Sequence, residues 1–139
     1  MTGIYNFVSG SPLSFLTPGA TLGNGFNTRP NLVGNPALSS PTADRWFDSA
    51  AFAAPPQFAW GNSGLGLIDG PGQHNLNLAL MKDFPFAERK MVQFRWELFN
   101  SINHVNLVNP NTTLNQPTTG RILGADSARQ MQFGIKVIF

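Results

Sequence analysis

Three runs alternate apolar and polar residues with a period of two, and that period commits most of the chain's ordered length to β-structure. In RQMQFGIKVIF, Met131, Phe133, Ile135, Val137 and Phe139 share one face, and Gln130, Gln132, Gly134, Lys136 and Ile138 share the other. In KMVQFRWELFN, Val92, Phe94, Trp96 and Leu98 oppose Gln93, Arg95 and Glu97, with Met91 and Phe99 at the ends of the polar row. In HNLNLALMKDF, Leu76, Leu78 and Leu80 oppose Asn75, Asn77, Ala79 and Met81. Successive side chains of a strand point to opposite faces, whereas a helix would repeat every 3.6 residues. Leu and Ala also favour helices, so a helix competes for the last run. Its alternating Asn residues and its strand-like neighbours favour a strand. A shorter strand is expected at GIYNFV, continuing past SGSP toward LSF. The predicted strands are 3–15, 73–84, 90–100 and 129–139.

The connections carry as much information as the strands. FPFAER reads as a tight turn between the second and third strands. Long loops, 17–72 and 101–128, flank that hairpin on its other side. Structureless loops of this size are uncommon in compact domains. Within the first loop, TADRWFDSAAF is expected to form a short helix capped by Thr42 or Asp44.

Composition removes several classes of function. Charged residues are 12% of the chain, about half the usual share for a soluble domain. The nine Lys and Arg residues are scattered and the net charge is +2, so no basic stripe offers itself to nucleic acid. With no cysteine, disulfide scaffolds, thiolate zinc sites and cysteine nucleophiles are excluded. No apolar run reaches the roughly 18 residues that a transmembrane helix needs. MTGIYNFVSGSPLSFLTPGA has no Lys or Arg and is broken by Ser and Pro, so it does not read as a signal peptide. An export signal is expected outside these residues.

An all-β, antiparallel architecture with one-sided long loops fits an outer-membrane β-barrel. Strands there run about ten residues, apolar toward lipid and polar toward the lumen, with short turns on one side and long loops on the other. On this reading Gln93, Arg95, Glu97 and Lys136 face the lumen. The competing architecture is a secreted or surface β-sandwich acting as a binding or adhesion module, since alternation alone does not separate the two. The closing residues favour the barrel. Gln132, Gly134, Val137 and Phe139 resemble the C-terminal β-signal of bacterial outer-membrane proteins, in which a polar residue and a glycine precede two apolar residues spaced by two. The resemblance implies that the barrel-assembly machinery reads this strand. An open strand edge would supply the backbone donors and acceptors for that pairing.

Longer motifs occur in a fixed order: RPNLVGNP, WFDSAAFAAPP, FAWGNSG, GPGQHNLNLALMKDFPF, ERKMVQFRWELFNSINHVNLVNPN and RQMQFGIKVIF. From about residue 10 onward they resemble the C-terminal barrel segment of TonB-dependent receptors of the Oar-like group. The departures are Ile102, where the group more often has an aromatic or Leu, and Val105, where it more often has Pro. The resemblance implies a place in the bacterial outer membrane and a role in ligand binding and transport. It also implies several partners: membrane lipid, a plug domain and the remaining barrel, and TonB through an N-terminal part. Four strands would leave open edges in hydrocarbon, and bacterial barrels use at least about eight. The segment is therefore expected to be the end of a longer chain.

No residue set points to catalysis, and neither an enzyme activity nor a cofactor is expected. His74 and His104 are far apart in sequence, with no carboxylate at ligand spacing, and metal sites need a cluster. His104 reads as part of an Asn-rich turn. Asp44 and Asp48 would share a helical face as capping or solvated groups. GNSGLGLIDGPG lacks the Lys of a phosphate loop and reads as turns. Arg95 and Glu97 read first as an ion-pair lattice, and alternatively, with Gln93, Gln132 and Lys136, as lining for a substrate path. Trp46, Phe47, Phe58 and Trp60 are candidate loop contacts for a sugar or peptide, with packing of the loop as the competing role.

Overall fold

A computed structural model describes residues 1–19, 23, 25–88 and 90–139. In chain order its strands are β1 (Thr2–Val8), β2 (Pro12–Leu13), β3 (Asn31–Leu32), β4 (Phe52–Ala53), β5 (Ile68–Asp69), β6 (Gln73–Ala87), β7 (Lys90–Phe99) and β8 (Gln130–Ile138). A 3-10 turn, Ser49–Ala51, is the helical element among the described residues. The chain divides into two compact units. One comprises Met1–Val8, Gln73–Asn106 and Ala125–Phe139; the other comprises Ser9–Gly72 and Leu107–Gly124.

The first unit is an antiparallel sheet in the order β1-β6-β7-β8. Its register follows the sequence alternation. Leu78 lies opposite Leu98, Leu80 opposite Trp96, and Phe84 opposite Val92. Trp96 in turn lies opposite Phe133, and Phe94 opposite Ile135. Paired residues project to the same side, so these side chains form one continuous apolar face. Trp96 stacks on Phe133 with ring centres 5.9 Å apart and planes 6° from parallel. The face is uncovered: Ile135 is 71% exposed, and no residue of these four strands belongs to the buried hydrophobic core.

One residue on this face breaks its chemistry. Lys82 lies opposite Phe94, in the row that the alternation assigns to apolar side chains. Its ammonium lies 5.3 Å from the centre of the Phe84 ring, toward the hairpin end. The aliphatic stem thus covers apolar surface while the charge rests over the Phe84 ring.

The turn between β6 and β7 is shorter than the sequence suggests. FPFA is not turn but strand: Ala87 pairs with Lys90, after a register shift between Pro85 and Ala87. The irregularity suits Pro85, which has no amide hydrogen to give a regular ladder. Glu88 lies in the turn, and Arg89 lies outside the described residues. At the other end of the sheet, Val8 pairs with Gln73 and Phe99 with Gln130. Segments 9–72 and 100–129 both leave and return there.

The first predicted strand is corrected. It ends at Val8 rather than residue 15, and Pro12–Leu13 pairs instead with Ile68–Asp69 in a separate two-stranded sheet. The predicted loop 17–72 is not structureless either. Together with 107–124 it forms the second unit, with a core of Leu13, Phe15, Phe47, Ala51, Phe52 and Leu114. Phe15 packs 4.3 Å from Phe52 and 4.8 Å, edge-on, from Phe47, measured between ring centres. A second short ladder pairs Asn31–Leu32 with Phe52–Ala53. Glycine permits one close approach here: a Cβ at Gly61 would fall on the Arg29 and Pro30 carbonyls.

The expected helix in TADRWFDSAAF shrinks to the single turn Ser49–Ala51, capped by Asp48 rather than Thr42 or Asp44. Thr42 closes a separate turn, its hydroxyl accepting from the Arg45 amide at 3.2 Å. Asp48 accepts from the Arg45 guanidinium at 2.7 Å and from the Ala50 amide at 3.3 Å. The hydrogen bond from Arg45, then that from Ala50, holds the Asp48 carboxyl below its ordinary value. Asp44 pairs with Arg121 at 3.1 Å. The two aspartates therefore serve separate contacts and share no helical face.

Candidate functional site

The polar face of the sheet gathers the residues that sequence alternation assigned to a wet interior. Gln93, Arg95 and Glu97 of β7 lie opposite Lys136, Gly134 and Gln132 of β8. On the other side they lie opposite Asp83, Met81 and Ala79 of β6. Arg95 and Glu97 form an ion pair at 2.6 Å, and Gln93 donates to Asp83 at 2.8 Å. The Arg95 side chain is 51% exposed and that of Glu97 18%. A pair this accessible is worth at most about 1 kcal/mol, so it organises the surface more than it stabilises the sheet. A shallow depression of about 300 Å³ lies beside it, lined among others by Thr2, Ile4, Asn77, Met81 and Phe99.

The result is a sheet with two chemistries. One face carries Leu, Phe, Trp, Ile and Val in rows with nothing over them; the other carries an ion pair and amides. A sandwich would bury the first face under a second sheet, and no residue of that face belongs to the buried core. Comparison with protein families agrees with this geometry: the model described as an outer membrane beta barrel domain matches residues 1–132.

The chain belongs to that outer-membrane β-barrel family.

It is a protein of the bacterial outer membrane. No curated protein and no solved structure was found to match. In barrels of this kind an apolar strand face meets lipid and a polar one the lumen, and the sheet has one face of each chemistry. The short hairpin after β6 and the long connections at the opposite end are the usual asymmetry of such barrels.

The residues that resemble a C-terminal β-signal divide between the two faces. Gln132 and Gly134 lie on the polar face, opposite Glu97 and Arg95, whereas Val137 lies on the apolar face opposite Val92. Phe139 follows the last strand residue and is 92% exposed.

The four loop aromatics do not form one group. Phe47 is 1% exposed and sits in the core of the second unit, with no surface left for a ligand. Trp46 packs against that core, and its indole donates to the Asp69 carbonyl at 2.9 Å. Phe58 and Trp60 are about 70% exposed and are the two with surface to offer. Phe58 has a positive φ of 62°, a conformation that costs a bulky residue some strain and needs a fixed surrounding. The glycine-rich stretch Gly61–Gly72 contains β5 and supplies turns, with Gly66 at a φ of 63°.

Two features of the loop end were not legible as a site. The first is the asparagine scaffold in FNSINHVN. Asn100 and Asn103 adopt positive φ, which Asn tolerates better than most residues. The Asn100 side chain accepts from the His104 amide at 3.1 Å and donates to the His104 carbonyl at 2.9 Å and the Ser127 carbonyl at 3.2 Å. The Asn106 side chain accepts from the His74 amide at 2.7 Å and donates to the His74 carbonyl at 3.0 Å. Its amide thereby substitutes for a paired strand. Ile102 and Val105, the two departures from the group pattern, are exposed and enter none of these contacts.

The second feature is a pair of histidines. The His74 and His104 rings approach to 5.0 Å between centres, at 50° between planes. His74 Nδ1 lies 3.0 Å from the Tyr5 hydroxyl, and Phe7 packs 4.7 Å away. His104 Nδ1 lies 3.1 Å from Asn106 Oδ1. The hairpin register is the signal that finds this pair: extending Leu78↔Leu98 toward the loops brings Ile102 opposite His74.

Asn106→Leu is expected to destabilise the loop end by about 1–3 kcal/mol, since it leaves a backbone donor and acceptor of His74 unpaired in a site that is 4% exposed. Faster amide exchange at His74, with exchange in the β7–β8 ladder unchanged, is the readout.

Proposed function

We propose that this chain forms part of the wall of a TonB-dependent, Oar-like receptor that captures a ligand outside the cell and passes it across the outer membrane. The observation that carries the reading is the charged polar face of the sheet. Gln93, Arg95, Glu97, Gln132 and Lys136 line one face at a density that a lipid-facing or dry surface would not tolerate. The ordered motifs from RPNLVGNP to RQMQFGIKVIF support the finer assignment. So does a long-loop unit with its own aromatic core, a rigid platform for exposed residues such as Phe58 and Trp60.

The transport mechanism on this reading is non-covalent. Loops at the outer end bind the ligand. A plug domain rests against the lumen wall, and the Arg95–Glu97 pair offers it both signs of charge. TonB, driven from the inner membrane, rearranges the plug and opens the path. The barrel-assembly machinery engages β8 through its outer edge during insertion. No bond is made or broken in the ligand, and the segment acts neither as an enzyme nor through a cofactor.

The test uses the complete gene product in its own bacterium. Formaldehyde crosslinking should recover TonB with it, and recovery should fail when the N-terminal part of the gene is deleted. A protein that assembles in the outer membrane, conducts ions as an open pore and never crosslinks to TonB would defeat the receptor reading while leaving the barrel assignment intact.

A further inference from the structure

The geometry points to a transition-metal site at the outer rim of the sheet, in which His74 and His104 bind one Cu²⁺ or Zn²⁺ through their Nε2 atoms. This inference does not depend on the receptor reading.

The argument begins with Asn106. Its side chain faces the backbone of His74 with both ends engaged, one accepting from the amide and one donating to the carbonyl. That double contact fixes which end is oxygen, because the reversed amide would set donor against donor and acceptor against acceptor. Oδ1 is therefore an acceptor, and His104 Nδ1 at 3.1 Å must carry the proton. In the neutral ring, Nε2 of His104 then holds a free lone pair. His74 Nδ1 lies 3.0 Å from the Tyr5 hydroxyl, which accepts as well as donates, so a proton on Nδ1 has a partner when Nε2 gives its lone pair to a metal. Among the described residues, neither Nε2 has a hydrogen-bond partner.

A ligating histidine usually has its second nitrogen oriented by an outer-shell oxygen, and both rings already have one. The spacing also fits. Two imidazoles sharing an ion at about 2.0–2.1 Å, with N–metal–N angles of about 90–110°, have ring centres roughly 4.5–5.2 Å apart. The observed separation is 5.0 Å.

Imidazole nitrogen selects Cu²⁺, Zn²⁺ and Ni²⁺ over the oxygen-seeking Mg²⁺ and Ca²⁺. The described residues hold no group of three or more His, Asp or Glu side chains that would complete a closed site. The remaining positions would be filled by water or by a donor from a bound ligand, as in open rather than structural metal sites. His104 is exposed, so an ion reaches the pair from outside.

The chain makes this easy to test, because it contains two histidines and no cysteine. The untagged protein in detergent is titrated calorimetrically with Cu²⁺ and with Zn²⁺, and separately with Mg²⁺. One equivalent of Cu²⁺ or Zn²⁺ should bind, Mg²⁺ should not, and His74→Ala or His104→Ala should each weaken binding at least about tenfold, as loss of a direct ligand exceeds loss of its outer-shell support. Zn²⁺ should also protect both histidines of the unmodified chain from diethyl pyrocarbonate, read by mass spectrometry, which needs no variant to fold. Absence of binding, equal reactivity of the histidines with and without Zn²⁺, or binding that persists in the double alanine variant would each overturn the site.

Discussion

Ile135→Arg is expected to destabilise the membrane-inserted sheet by about 2–4 kcal/mol, the range for an arginine or lysine placed near the bilayer midplane on the lipid side. Ile135 lies near the middle of β8, opposite Phe94 and 71% exposed. A charge there would have acyl chains around it and no partner. Gln132→Arg supplies the control. It adds the same guanidinium to the same strand, but on the polar face opposite the Glu97 carboxylate. The two variants should separate in a urea titration of the protein in lipid vesicles. The Ile135 variant should unfold at lower denaturant, and the Gln132 variant should stay close to the parent. Equal behaviour would mean that both faces meet the same medium, and the two-sided description of the sheet would fail.

The second large effect belongs to the loop unit. Phe47→Ala should cost about 3–5 kcal/mol, the usual range for emptying a buried aromatic site. Phe47 is 1% exposed and packs edge-on to Phe15 and Phe52, so its loss leaves both rings facing a void. The core of this unit contains no residue of the four-stranded sheet. The expected outcome is therefore local. Limited proteolysis should cut within 9–72 or 107–124, while fragments from β6, β7 and β8 stay intact. Trp60→Ala, in contrast, removes a ring that is 70% exposed and should leave proteolysis unchanged. Collapse of the entire chain on Phe47→Ala would contradict the division into two units.

What could be read from sequence was whatever a strand's own geometry enforces. The alternation in β6, β7 and β8 follows from a backbone that sends successive side chains to opposite faces. The register keeps Gln93, Arg95 and Glu97 together on one face, as the alternation requires. The hairpin was legible for the same reason, although its strand ran on through Phe84, Pro85 and Phe86. What stayed hidden depends on residues distant in sequence with no period linking them. Phe15, Phe47 and Leu114 meet in one core, yet they come from three parts of the chain that carry no shared pattern. The first strand was overextended because Leu13 and Phe15 continue its apolar spacing past Ser9, although they point into that core. Lys82 escaped notice because alternation predicts a residue's side and not the chemistry that side will tolerate.

Lys82 has a consequence for how the molecule floats. A sheet with a uniformly greasy outer surface could slide along the membrane normal at little cost over several ångströms. A lone ammonium on that surface does not allow this. Sinking it toward the acyl-chain midplane strips its hydration, and the penalty climbs steeply with depth. Set across Phe94 from Ile135 and drawn over Phe84 toward the hairpin end, it works as a ballast mark that opposes any shift carrying it deeper.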